Sequence, residues 1–231
     1  MKVISIVNQK GGVGKTTIAI NLSYGIASHG HRALLIDADK QGSVKEWYGI
    51  VSGEKAFDVL HYDGDTLYKD IEALSKGYRY VVIDSPPGME SVTKSIMTVS
   101  DLVIIPVRPS ILDIWSSKSI IELIKQAKQE VNRKLKTKLL VSQRAVGTRI
   151  GSEAKESLSE YGVPIFETEI HSRIAYVEAM LNGQAVMEYD PKSEAAREII
   201  NLTVEALKGY KNRQHKIREK GAILNHEETK P

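Results

Sequence analysis

The sequence predicts an α/β fold: a doubly wound, mostly parallel sheet with helices on both faces. Short apolar runs alternate with amphipathic stretches along the chain, as expected of strands covered on both sides. Polar chemistry gathers where those runs end. A glycine-rich segment follows the first run, and Asp-containing segments follow the second and third. In such a sheet, ligands sit at the carboxyl ends of the strands.

Taken in order, the apolar run in Lys2–Val7 predicts the first strand, and Lys15–Ser28 a helix opened by the glycines. Ala33–Ile36 predicts the second strand. Asp65–Ser75 reads as a helix, Tyr80–Ile83 as a strand, Ser91–Val99 as a helix and Leu102–Val107 as a strand. Leu112–Arg133 predicts a long helix, followed by a strand at Lys138–Val141, a helix at Ser152–Tyr161 and a strand at Pro164–Phe166. Helices at Ile174–Leu181 and Ser193–Leu207 complete the order. In the last, Ala196, Ile199, Ile200, Thr203 and Leu207 share one helical face, which should pack on the sheet. Residues 1–207 therefore form one domain, and 208–231 a basic extension expected to be partly disordered.

The segment Lys10-Gly11-Gly12-Val13-Gly14-Lys15-Thr16-Thr17 has the layout of a phosphate-binding loop. Glycines let backbone N–H groups turn inward, and the start of the helix adds its positive dipole end. Lys15 is placed to neutralise β and γ phosphates, and the Thr16 hydroxyl to ligate Mg²⁺. The usual first glycine of the motif is absent, because Gln9 stands in its place, and a second lysine, Lys10, stands at the entrance. Asp37 and Asp39 follow the second apolar run, and Asp84 with Gly88 follows the third. An Asp at the tip of a buried strand is costly unless a cation or donors satisfy it; the alternative for each is a capping Asp at a strand–helix turn.

On these residues the chain resembles the ParA/MinD family of deviant Walker A, P-loop ATPases, and most of all small ParA-type partition proteins lacking an N-terminal helix-turn-helix domain. The resemblance implies ATP and Mg²⁺ as ligands, with Gly11 to Thr17 around the phosphates. Asp84 looks like the Walker B acid, Asp37 like a support of the Mg²⁺ shell, and Asp39 like the group that orients the attacking water. Lys40 stands where partition ATPases usually have Pro. Ile105-Pro106-Val107-Arg108-Pro109-Ser110 and Asp113-Ile114-Trp115 look like the corresponding strand and helix start of small ParA proteins, and Gln143 and Arg144 lie where relatives contact adenine. By the same resemblance the chain forms an ATP-sandwiched homodimer, with Lys10 acting in trans. It would bind DNA non-specifically and answer to a ParB-like or other cargo adaptor, in the cytoplasm on the nucleoid. Arg173 and Lys192 match the region where relatives carry DNA-binding cations.

Composition agrees with a globular protein, at 42% apolar and 26% charged residues. The absence of cysteine excludes disulfides, thiolate metal sites and iron–sulfur clusters. No apolar stretch approaches the ~18–20 residues of a membrane helix, and the opening strand leaves no room for a signal peptide. Net charge is +3 but uneven. Lys208, Lys211, Arg213, Lys216, Arg218 and Lys220 against Glu219 give residues 208–220 a net +5, so residues 1–207 are close to neutral. That basic stretch is the densest candidate for DNA phosphates. Two other readings remain open: a MinD-like membrane switch and a metabolic ligase or synthetase on the same fold. The first needs a bulky apolar helical face, and here Tyr210, Ile217 and Leu224 form only one seven-spaced line.

Overall fold

The computed structural model describes residues 1–51, 53–148 and 150–208. Six parallel strands form one sheet in the order β3-β2-β4-β1-β5-β6. They are β1 (Lys2–Ile6), β2 (Ala33–Asp37), β3 (Asp58–His61), β4 (Tyr80–Asp84), β5 (Leu102–Val107) and β6 (Lys136–Val141). Between and after them run α1 (Lys15–Ser28), α2 (Ser43–Ile50), α3 (Leu67–Leu74), α4 (Glu90–Val99), α5 (Ile111–Glu130), α6 (Ile150–Ser159), α7 (Ile174–Leu181), α8 (Val186–Tyr189) and α9 (Glu194–Leu207).

Successive strand residues point to opposite faces, so each central strand feeds two cores. Val3, Leu34, Ile36, Val81, Ile83, Val103 and Ile105 pack one face against α3, α4, α5 and α6. Ile4, Ile6, Leu35, Val82 and Ile104 pack the other against α1 and α9, through Ile18, Leu22, Ile26, Ile199 and Leu202. The register sets strand ends level: Ile6 pairs with Asp84, and Asp37 pairs with Asp84. The glycine loop therefore leaves the sheet beside both acids.

The structure differs from the sequence reading in five places. Helices α2 and α8 and strand β3 were not expected; β3 is a short edge strand with half-exposed or exposed side chains, so it lacks an apolar run. Pro164–Phe166 is no ladder strand. It makes a single bridge, Leu139 to Ile165, before the chain turns away. On α9 the buried stripe is Ala195, Ala196, Ile199, Leu202, Thr203 and Ala206, which leaves Ile200 at the surface. The basic extension from residue 209 onward lies outside the described residues.

Helices α1 and α9 approach closely at Gly25, where a Cβ would stand 2.2 Å from Thr203 Oγ1 and 3.2 Å from Thr203 Cβ. Gly25→Ala should therefore lower stability in urea unfolding by roughly 1–3 kcal/mol, although alanine is the better helix former. Adding Thr203→Ala, which removes the clashing hydroxyl, should recover most of the loss.

Candidate functional site

After β1 the chain is anchored by Asn8, which is buried at 4% exposure. Its side chain accepts from the Lys10 N–H at 3.0 Å and donates to the Pro106 carbonyl at 2.8 Å. Gly12 and Gly14 then take left-handed backbone angles, φ 73° and 88°, which glycine adopts without a Cβ penalty. Nothing lies within 4 Å of where a Cβ would stand on Gly11 or Gly12, so the loop faces open space. Helix α1 starts at Lys15 with no side-chain cap, leaving its first N–H groups for a ligand. Thr17 lies half-buried in that first turn. Two side chains from the end of β6 hold the loop from above. Ser142 Oγ donates to the buried Val13 carbonyl at 3.0 Å, and Gln143 Nε2 to the Gly12 carbonyl at 2.9 Å. Gln143 does so from a left-handed backbone, φ 53°, the one non-glycine case among the described residues.

The two lysines sit differently. Lys15 is buried, its Nζ 3.0 Å from the Lys10 carbonyl, and burial lowers its pKa against the raising effect of Asp84 and Asp39. Lys10 points outward and bonds Asp113 Oδ1 at 2.8 Å. Asp113, in the first turn of α5, also receives Ser110 Oγ and Arg108. Burial alone would raise its carboxyl, but the bonds from Lys10, Ser110 and Arg108 hold it below the ordinary range.

Asp84 is 1% exposed. Its Oδ2 accepts from Thr16 Oγ1 at 2.6 Å, while Oδ1 is buried with no partner among the described residues. Burial pushes this carboxyl up to about 7; the Thr16 bond opposes the shift and Asp37 adds to it. One carboxylate with an orphaned oxygen beside a hydroxyl suits a hard cation that takes its other ligands from water and phosphate, which is the habit of Mg²⁺. Among the described residues no group of three or more His, Cys, Asp or Glu could hold a metal by itself.

The other predicted residues divide. Both Asp37 oxygens already accept backbone N–H groups: Oδ1 from Asp39, and Oδ2 from Val44 and Lys45 at the start of α2, each at 3.2 Å. Asp39 Oδ1 accepts from the Gln41 N–H at 3.0 Å. Both therefore make the capping bonds of a strand–helix turn, yet their charges still reach Asp84. Lys40 faces away to Asp63 at 3.6 Å. The Arg144 guanidinium is turned to Glu169 and the Thr148 carbonyl. Arg173 Nε pairs with Glu198 at 2.8 Å. Lys192 is exposed. Lys211, Arg213, Lys216 and Arg218 lie outside the described residues. Asn8, Ser142 and Asp113 were not given roles in advance; for Asp113 the signal was present as Ser110-x-x-Asp113, a capping-box spacing.

A family description for the CobQ/CobB/MinD/ParA nucleotide binding domain matches residues 4–186, a span that includes every one of these loop and carboxylate positions. The chain belongs to that family. It is a nucleotide-binding ATPase of the ParA/MinD type. It is 32% identical over 201 residues to maintenance of carboxysome distribution protein A of Halothiobacillus neapolitanus, covering 86% of this chain and 92% of that one. To sporulation initiation inhibitor protein Soj of Bacillus subtilis it is 27% identical, over 88% and 97% of the two chains. Among solved structures, the Cyanothece McdA(D38A)–ATP complex superposes with a TM-score of 0.77 at 19% identity, covering 92% of this chain and 98% of that one. Cobyrinic acid a,c-diamide synthase of Mycobacterium smegmatis, with an ATP analogue and magnesium, gives 0.78 at 20% identity over 92% and 96%. At such identities the likeness speaks for the fold alone.

Because the Asp84 carboxyl titrates near 7 in the folded chain and near 3.8 when unfolded, the folded form holds an extra proton between those values. Stability should thus fall as pH rises from about 4 to about 7. Asp84→Asn should flatten that slope in metal-free, nucleotide-free urea unfolding and stabilise the chain at pH 7.5 by roughly 1–3 kcal/mol. The same variant should lose the magnesium-dependent part of its nucleotide affinity.

Proposed function

We propose that this chain is a ParA-type positioning ATPase that binds Mg·ATP, closes into an ATP-sandwiched homodimer and holds DNA without sequence preference. A cargo-bound adaptor, ParB-like or of another kind, then stimulates hydrolysis and releases it. The observation that carries this reading is the contrast between the two loop lysines. Lys15 is folded into its own loop, whereas the Lys10 side chain is 36% exposed and turned to Asp113 at the rim. Around that rim Ile111, Leu112 and Trp115 are 63%, 67% and 64% exposed, apolar surface that a second copy could cover. The names of the relatives, a carboxysome-distribution protein and a chromosome-partitioning protein of Caulobacter vibrioides, agree with a positioning role for either protein or DNA cargo.

In this reading Lys15 and the N–H groups at the start of α1 bind the substrate's β and γ phosphates. Gly11, Gly12 and Gly14 let the backbone approach them, with Val13 as the buried pin of the loop and Thr17 beside it. When bound, Mg²⁺ supplies charge neutralisation between phosphate oxygens; Thr16 and Asp84 would hold it, with Asp37 one shell out. Asp39 orients the attacking water. Gln143 closes over the loop on the nucleotide side. Lys10 exchanges Asp113 for the nucleotide of the other subunit, which couples dimerisation to ATP. DNA contact falls to Lys192, to the stretch with Lys211, Arg213, Lys216 and Arg218, and to Arg173, which would exchange Glu198 for a phosphate. A dimer doubles the phosphate contacts, and non-specific affinity grows with their number. Residence in the cytoplasm on the nucleoid follows from that DNA contact.

Lys10→Ala should keep nucleotide binding as a monomer but lose ATP-dependent dimerisation, read by size-exclusion chromatography with light scattering. Its adaptor-stimulated hydrolysis should fall about a thousandfold or more, the scale of a charged group supplied in trans. An undiminished ATP-dependent dimer in this variant would remove Lys10 from the trans role.

A further inference from the structure

At the amino ends of the strands, away from the glycine loop, a cleft of about 1020 Å³ opens between α5, α9 and the outer edge of β6. Strand β6 is the last of the sheet. Its outward backbone groups are used from Leu139 onward: Leu139 N–H donates to the Pro164 carbonyl and Phe166 N–H to the Leu139 carbonyl, both at 2.8 Å. Ile170 N–H donates to the Val141 carbonyl at 2.9 Å. In a parallel strand the N–H and C=O of alternate residues face the same side, so those of Thr137 also point outward. No described residue pairs with them. Thr137 Oγ1, in the wall of the same cleft, is buried and unpartnered among the described residues.

The cleft has an apolar floor and a basic rim. Ile121, Ile124, Val163 and Val204 supply the floor. Five lysines line it against two glutamates, Glu167 and Glu205. Lys138 is committed to Glu205 at 2.6 Å, whereas Lys125, Lys128 and Lys208 are exposed around the rim. An open strand edge recruits another strand by main-chain hydrogen bonds, with side-chain chemistry choosing which one.

We propose that this cleft docks an extended acidic segment of a partner protein, which adds to the outer edge of β6 as a further strand. Main-chain bonds to Thr137 supply the pairing, the floor takes apolar side chains on one face of the segment, and Lys125, Lys128 and Lys208 receive its carboxylates. The rim excludes a second copy of this chain, because edge-to-edge pairing would bring like charges together. Nucleic acid is disfavoured by the apolar floor and by the absence of any peptide group to complete Thr137. The site stands apart from the nucleotide loop and does not depend on the dimer reading.

The test uses the full chain and a fluorescein-labelled peptide of alternating glutamate and valine, followed by anisotropy. Saturable, salt-sensitive binding is expected, weakened about tenfold or more by Lys125→Glu with Lys128→Glu, with the ATPase rate unchanged. Thr137→Pro should weaken it similarly, because proline removes the outward N–H while the bonds to β5 remain. In the wild type, hydrogen exchange at the Thr137 amide should slow when the peptide is added, a readout independent of any variant's folding. Absence of saturable binding, unchanged Thr137 exchange or equal affinity in the Lys125→Glu, Lys128→Glu variant would overturn the proposal. So would binding of a lysine–valine peptide, or of a peptide of this chain's own residues 221–231, as tightly as the glutamate–valine peptide.

Discussion

A carboxylate at the end of a fully buried strand has lost the water that would stabilise its charge, and the geometry around the glycine loop follows from how Asp84 meets that loss. Strand register sets Asp84 level with Ile6 on one side and Asp37 on the other. Thr16, in the first turn of α1, gives it one hydrogen bond, and the charge of buried Lys15 opposes its protonation. Lys15 is itself desolvated, so the two charges depend on each other at the base of an open loop. A polyanion and a hard cation satisfy both at once: phosphate oxygens answer Lys15 and the uncapped helix, and a cation answers the unpaired Asp84 oxygen. The site is thus assembled by topology, because β1 lies between β4 and β5 and delivers the loop between their ends.

That same topology separates the two lysines that are five residues apart in sequence. Asn8 fixes the backbone at Lys10 and also holds Pro106 of β5, so the loop entrance is tied to the strand that leads into α5. The first turn of α5 carries Asp113, which three donors keep ionised. An exposed lysine held by an ionised, nearly buried carboxylate is stable in isolation and can still be drawn away by a stronger anion. In the proposed cycle, competition between Asp113 and a triphosphate for Lys10 would let nucleotide govern association.

Much of this was legible in the sequence because it rests on local chemistry. Glycines at left-handed positions, a lysine and threonine opening a helix, and acids ending apolar runs all leave marks within a few residues. Elements with one wet face left weaker marks. The edge strand β3, Asp58–His61, offers no apolar run, and the short α2 contains Gly49 near its end. Ion pairs between distant positions left none. Arg144 meets Glu169, and Arg173 meets Glu198, across 25 residues each, pairings that no local pattern announces. The β6 edge was likewise invisible, since whether Pro164–Phe166 completes a ladder depends on where the chain turns after a single bridge.

Mixing two inactive variants shows whether each nucleotide is served by Asp39 from its own subunit and Lys10 from the other. Lys10→Ala and Asp39→Ala should each hydrolyse ATP poorly alone. Combined, they can form a dimer in which one site has its own Asp39 and receives Lys10 from the partner subunit. The expected phosphate-release rate in the mixture is well above that of either variant at the same total concentration. A mixture no faster than the average of its two components would contradict it, placing Lys10 and Asp39 on the same subunit's nucleotide or outside the reaction.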